Sequence, residues 1–132
     1  IIFRFDNNFS VFLHDTSAPW AFKRSQRAVS HGCVRVERPL ELALFLLGER
    51  AEEMEDRLQY SMSVDFINDV DSLKKRNIDR KRLVNTLNVN PPIPLYITYY
   101  TVYDGICGQL CYYDDVYGYD DVLIEKLSPF IE

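Results

Sequence analysis

Four consecutive residues, Ser30-His31-Gly32-Cys33, put a thiol beside an imidazole, with Arg35 two positions later and a second imidazole, His14, upstream. At average residue usage a Ser/Thr-His-Gly-Cys string arises by chance in roughly one of a few thousand chains of this size. A nucleophilic cysteine needs a thiolate, a group that holds or moves its proton, and donors facing the oxyanion that forms on the attacked carbonyl. His14 or His31 suits the second role. The amides around Gly32 and Cys33 suit the third, because Gly32 leaves them unobstructed. Arg35 offers a planar fork for a carboxylate, and in an extended stretch it shares a face with Cys33.

Each residue also has a plainer reading. A free cysteine is often a small buried apolar group, which applies to Cys33 and more strongly to Cys107 and Cys111. Arg35 alone fits a surface ion pair. His14, His31 and Cys33 could hold zinc, but no fourth ligand lies close in sequence and only the distant Cys107 and Cys111 could complete the set.

The elements that must position these groups follow from periodicity. Ile1, Phe3 and Phe5 alternate, as do Phe9, Val11 and Leu13, around the turn residues Asp6-Asn7-Asn8, which predicts two short strands. His14 closes the second strand on the face of Ser10 and Phe12, opposite the apolar set. Pro19 to Gln26 reads as a short helix with Pro19 in its first turn, returning the chain so that Ser30 to Cys33 meets His14.

From Pro39 onward Leu40, Ala43, Leu44, Leu47, Ala51, Met54 and Leu58 recur every three or four residues, which predicts a long amphipathic helix with a possible interruption at Gly48. Its start just after Cys33 places partial positive charge near the thiol segment. Ser63 to Arg76 and Asp79 to Leu87 read as two more helices, the second capped by Asp79, before Asn90-Pro91-Pro92 ends helix. Pro94 to Tyr103 and Gln109 to Val116 then form a hairpin around Asp104-Gly105. The acidic stretch Asp114, Asp115, Asp120 and Asp121 lacks the ligand spacing of a calcium loop and reads as a solvated turn.

Composition bounds the rest. The chain has 132 residues, 47% of them hydrophobic, enough for one globular domain with a core. The net charge of -5 argues against nucleic acid as the main partner. Yet residues 1 to 40 hold Arg4, Lys23, Arg24, Arg27, Arg35 and Arg38 against Asp6, Asp15 and Glu37, so the thiol's surroundings are locally basic and favour an anionic substrate. No apolar run is long enough to span a bilayer. The start lacks both an initiator Met and a signal-peptide layout, so the chain reads as an excerpt; if the native protein is exported, its signal lies in the missing portion, and its absence here says nothing of compartment. With three cysteines at least one thiol is left unpaired within the chain, and Cys107 and Cys111 lie about 13 Å apart in a flat strand, too far for a disulfide without a turn.

His14-Asp15-Thr16 through Ser30-His31-Gly32-Cys33-Val34-Arg35-Val36 resembles the signature of the L,D-transpeptidases, the YkuD domain. Val11 to Thr16, Arg35 to Ala43, Pro94 to Tyr100 and Asp114 to Asp120 resemble in particular a larger Gram-negative envelope subgroup typified by the YcbB protein. The resemblance implies an α+β fold: a partial β-sandwich-type catalytic domain over residues 1–132. Strands and the catalytic motif would occupy 1–40, a helical segment 41–90 and a C-terminal β-hairpin 93–118.

It also implies a peptidoglycan L,D-transpeptidase of the periplasm or cell envelope. Cys33 would attack the carbonyl between the third stem residue and a terminal D-alanine, forming a thioester and releasing D-alanine. An amine of a second stem would then complete the cross-link, whereas water would make the enzyme an L,D-carboxypeptidase. In the resemblance His14 is the base, His31 shapes the site, Gly32 and Cys33 supply the oxyanion hole, and Ser30 and Arg35 hold substrate, with no cofactor or metal. Carbapenems would acylate Cys33. A cysteine peptidase on the same stems and an inactive envelope-binding fragment are the alternatives. Family domains carry a β-rich portion ahead of this signature, and only thirteen residues precede His14 here. The missing N-terminal part of the domain is therefore an expected partner, and the isolated chain is expected to expose apolar edge and to be inactive.

Overall fold

In the first residues exposure alternates, with Ile1, Phe3 and Phe5 half-buried and Ile2 and Arg4 exposed, as a strand with one covered face requires. The computed structural model describes residues 1–64 and 78–131 and divides into two units, Ile1–Pro94 and Leu95–Glu132.

In the first unit β1 (Ile2–Phe3) pairs antiparallel with β2 (Leu13–His14), which pairs in parallel with β3 (Val34–Arg35). These strands are shorter than the alternation predicts. The side chain of Asn7 donates to the carbonyls of Phe5 (3.0 Å) and Val11 (2.7 Å) and accepts from the amides of Phe9 (3.0 Å) and Val11 (3.1 Å). That loop takes Phe9 to Val11 out of the ladder: Ser10 sits at φ +54°, and Phe9 is 83% exposed instead of facing a core. The predicted helix after Pro19 is a short 3₁₀ helix, Pro19–Lys23, with Ala21 buried.

Pro39 opens α1 (Pro39–Leu47), its missing N–H falling where a helix has no acceptor to offer. The predicted interruption occurs at Gly48, whose φ of +55° suits a residue without a β-carbon and ends the helix. After the short turn Gly48–Arg50 the chain continues as α2 (Ala51–Ser63), which packs on α1. Ala43, Met54 and Leu58 are buried together, and Leu40, Leu44, Leu47, Ile1 and Phe3 pack on them, so the helix periodicity and the strand alternation converge on one core.

The helix expected over Ser63 to Arg76 lies almost wholly on residues 65–77, outside the described residues. The helix expected over Asp79 to Leu87 is not formed. Asp79 accepts the Lys81 amide on its side chain (3.0 Å), as a capping residue does, but only one turn follows. The amide of Val84 is used elsewhere, donating to Ser61 Oγ (2.9 Å), and Val84 and Leu87 pack on the core from an extended path. Arg82 holds this path on α2: its Nη2 lies 3.0 and 2.8 Å from the two carboxylate oxygens of Asp56, and its guanidinium stacks 4.2 Å from the Tyr60 ring centroid. Tertiary contacts with α2 therefore override a local helix signal.

In the second unit β4 (Val102–Asp104) and β5 (Leu110–Tyr112) form the expected hairpin, although Pro94 to Thr101 carries no strand. Its loop is longer than Asp104-Gly105 alone: the Gly108 amide bonds the Gly105 carbonyl (3.0 Å), and Gly108 adopts φ +70° before the ladder resumes. Cys33, Cys107 and Cys111 are all free thiols.

The sequence reading missed α3 (Tyr119–Leu127), although Asp120 and Asp121 in its first turn and Lys126 in its last match the helix dipole. Asp115 caps it, accepting the Asp120 amide (2.7 Å) and the Tyr99 hydroxyl (2.6 Å), while Thr101 donates to Asp120 (2.9 Å). The acidic stretch is thus partly a helix cap, not simply a solvated turn. Tyr99 packs against Tyr117 and Tyr119 at centroid distances of 5.1 and 5.4 Å. No described residue of this unit is fully buried, and Tyr96 and Phe130 are more than 80% exposed.

Met54→Ala or Leu58→Ala is expected to destabilise the chain by about 2–5 kcal/mol in chemical denaturation, whereas Gln59→Ala changes it little. In the second unit, partial desolvation and then the Asp115 carboxylate raise the Tyr99 hydroxyl above its ordinary range, and the same hydrogen bond lowers Asp115. A lowered carboxyl contributes stability above its unfolded value of about 4 and loses it as pH falls through the folded value. A raised phenol contributes fully below about 10 and loses it as pH rises. Circular dichroism against pH should show both limits, and Asp115→Asn should remove the acid one.

Candidate active site

Two backbone hydrogen bonds build the site: Val34 N–H to the Phe12 carbonyl (3.1 Å) and Val36 N–H to the His14 carbonyl (2.8 Å). They place Leu13 opposite Val34 and His14 opposite Arg35. Residues opposite one another in a sheet point to the same side, and side chains alternate along each strand. Phe12, His14 and Arg35 therefore share one face, and Cys33, immediately before β3, falls on that face by the same alternation. All four are half-buried, whereas Val34, on the other face, is exposed. His14 and Cys33 stand diagonally across the pair, where β-carbons are about 7–8 Å apart and long side chains can meet.

The orientation of His14 comes from its own neighbours. Its Nδ1 hydrogen-bonds the carbonyl oxygen of Asp15, and the Phe12 ring meets it edge-on at 6.3 Å between centroids. A carbonyl only accepts, so Nδ1 carries the hydrogen and Nε2 keeps the lone pair that can take a proton. The sequence reading did not anticipate this partner, because the group is a main-chain carbonyl and no side-chain type signals it.

Ser30, assigned above to substrate, turns its hydroxyl inward and donates to the Cys33 carbonyl (2.7 Å), closing the turn before β3. Arg35 donates from Nη2 to the Val29 carbonyl (3.3 Å) and has no carboxylate partner among the described residues. His31 is exposed and makes no hydrogen bond to another described residue. Among the described residues no three His, Cys, Asp or Glu side chains gather closely enough to hold a metal ion. A β-carbon added at Gly32 would meet only Val11 Cγ2, at an ordinary 3.4 Å, so the chain's own packing does not demand glycine there.

A half-buried thiol, an imidazole and a guanidinium on one sheet face are groups that cysteine-dependent acyl transfer can use. Residues 1–89 match the YkuD family, the L,D-transpeptidase catalytic domain. The chain belongs to this family, and the match covers nearly all of the first unit. Over 118 residues it is 29% identical to a Haemophilus influenzae protein described as "Putative L,D-transpeptidase", a stretch covering 89% of this chain and 20% of that protein. The chain thus spans about a fifth of the length of this curated relative. No solved structure matches. The mixture of helices with small sheets agrees with a partial domain of this family.

Nitrogen-15 spectra of the imidazoles should find His14 as the Nδ1–H tautomer at a pH where it is neutral, in the wild type and in Asp15→Asn alike. An Nε2–H tautomer would reject the assignment.

Proposed function

We propose that the chain carries the catalytic residues of a peptidoglycan L,D-transpeptidase of the YcbB-like subgroup, acting in the periplasm or cell envelope. The observation that supports this reading best is the parallel register of β2 and β3, which sets His14, Arg35 and Cys33 on one face in a chain of this family.

Cys33 loses its proton to Nε2 of His14 and attacks the carbonyl between the third residue of a stem tetrapeptide and its terminal D-alanine. The amides around Gly32 and Cys33 donate to the oxyanion. Collapse of the tetrahedral intermediate forms the thioester, and the departing D-alanine amine takes the proton back from His14. The side-chain amine of a second stem then attacks the thioester and restores the thiol, leaving a cross-link between third-position residues. His31 lines the approach, and Arg35 binds a donor-stem carboxylate. Carbapenem acylation of the same thiol belongs to this reading. The hydroxyl of Ser30 acts through the Cys33 carbonyl it holds, so its role is to position the turn.

In this proposal the chain is part of a β-sandwich-type catalytic domain whose remainder covers the exposed apolar side chains, since the relative is about five times longer than the matched stretch.

The test is to incubate stem tetrapeptides with the full-length protein and weigh the products. A cross-linked dimer with loss of D-alanine and a mass adduct on Cys33 are expected, both abolished by Cys33→Ala. His14→Gln should lower the rate about 100- to 10,000-fold. Hydrolysed tripeptide alone would indicate the carboxypeptidase. Products unchanged in Cys33→Ala, or no product at all, would overturn the proposal.

A further inference from the structure

Between Asp15 and Glu37 the sequence has no acidic residue, yet it has Lys23, Arg24, Arg27 and Arg35, in a chain whose net charge is -5. In the helical part of the same unit Arg38 pairs with Glu41 and Arg82 with Asp56. None of these four cations has a carboxylate partner among the described residues. Three of them are instead anchored on neutral groups. The Arg24 guanidinium lies over the Trp20 ring, 4.4 Å from its centroid. Arg27 Nε donates to the Arg24 carbonyl (2.9 Å), the Val29 amide donates to the Arg27 carbonyl (2.8 Å), and Arg35 Nη2 donates to the Val29 carbonyl (3.3 Å).

This anchoring fixes the side chains without neutralising them. Stacking on an indole uses the face of a guanidinium and leaves its in-plane N–H donors open, and a single bond from Nε leaves both Nη groups of Arg27 open. Trp20, Arg24 and Arg27 are exposed, so these donors face solvent or a ligand. The linked chain ends at Arg35, on the face shared with His14 and Cys33.

We propose that Trp20, Arg24 and Arg27 form a second carboxylate-binding subsite, continuous with Arg35, which selects peptide substrates carrying at least two carboxylates. Arg24 and Arg27 fork onto one carboxylate and Arg35 holds the other. Trp20 keeps Arg24 extended over its ring, which reduces the ordering that binding requires. The identity of the peptide as a peptidoglycan stem rests on the function proposed above; the requirement for two carboxylates rests on the cations themselves.

Trp20 is the sole tryptophan, so its fluorescence reports on Arg24 directly. The chain is titrated with a stem tetrapeptide and with the same peptide amidated at every carboxylate. The free-acid peptide is expected to bind and to change the emission, and the amidated one to bind about tenfold more weakly or less. Arg24→Gln and Arg27→Gln should each weaken the free-acid peptide about tenfold, added salt should weaken it further, and Arg50→Gln on the far helix turn should leave it unchanged. Arg24→Lys should recover only part, because an ammonium lacks the fork.

Equal binding of the two peptides, no binding of either, or wild-type binding by Arg24→Gln and Arg27→Gln would overturn the subsite. Circular dichroism of each variant separates loss of binding from loss of fold, and if Arg24→Gln unfolds, Arg27→Gln carries the test. Carboxylate-dependent binding without acylation of Cys33 in the full-length protein would leave the subsite standing and reject the transpeptidase. Acylation that is indifferent to amidation would do the reverse.

Discussion

The site depends on two parallel-strand hydrogen bonds, from Val34 to Phe12 and from Val36 to His14. Parallel neighbours cannot be joined by a tight turn, so the chain must leave the sheet after His14 and return about twenty residues later in the same direction. Everything between Asp15 and Cys33 serves that return. The buried Ala21 pins the 3₁₀ turn midway, the bond from Ser30 to the Cys33 carbonyl sets the final approach, and Pro39 converts the outgoing strand into α1 almost at once. The small sheet gains its stability from what lies beneath it: Ile1 and Phe3 pack on the pair of helices, so the core that holds α1 to α2 also holds the strand on which His14 is registered.

Much of this was legible in the residues. The spacing from Leu40 to Leu58 marked the buried face of both helices, and Gly48 marked the break between them, because an apolar stripe and a left-handed glycine are local signals. The strand ending at His14 and the fold-back to Cys33 were legible for a similar reason. What the sequence concealed were competitions decided by distant partners. Asp79 caps a helix that never extends, because Ser61 and Asp56 on α2 claim Val84 and Arg82 first. Phe9 alternates correctly for a strand, but one asparagine side chain, Asn7, satisfies the surrounding backbone and withdraws it from the ladder. At Tyr119 the helix signals were present, but the aspartates read as a solvated turn, whereas Asp115 accepts the Asp120 amide at the start of the helix.

Within the site the same division holds. Cys33, His14 and Arg35 were named from residue type and spacing, and the register sets them on one face. His31 and Ser30 were named with them, but His31 stands exposed and Ser30 bonds the chain's own backbone. The cations at 24 and 27 were counted as local charge. Their anchoring on an indole and on carbonyls became visible only when the loop had a path.

The carbonyl of Asp15 that orients His14 belongs to the main chain, and this has a genetic consequence. Every amino acid at position 15 brings the same carbonyl, so no single codon change deletes the group. A mutational scan would score position 15 by its side chain and record the orienting atom as dispensable. Selection can act on it only through the backbone path, by residues such as Pro19 and Ser30 that shape the loop leaving the strand. Part of what orients His14 in this fold is therefore inherited as geometry, outside the reach of residue-by-residue comparison.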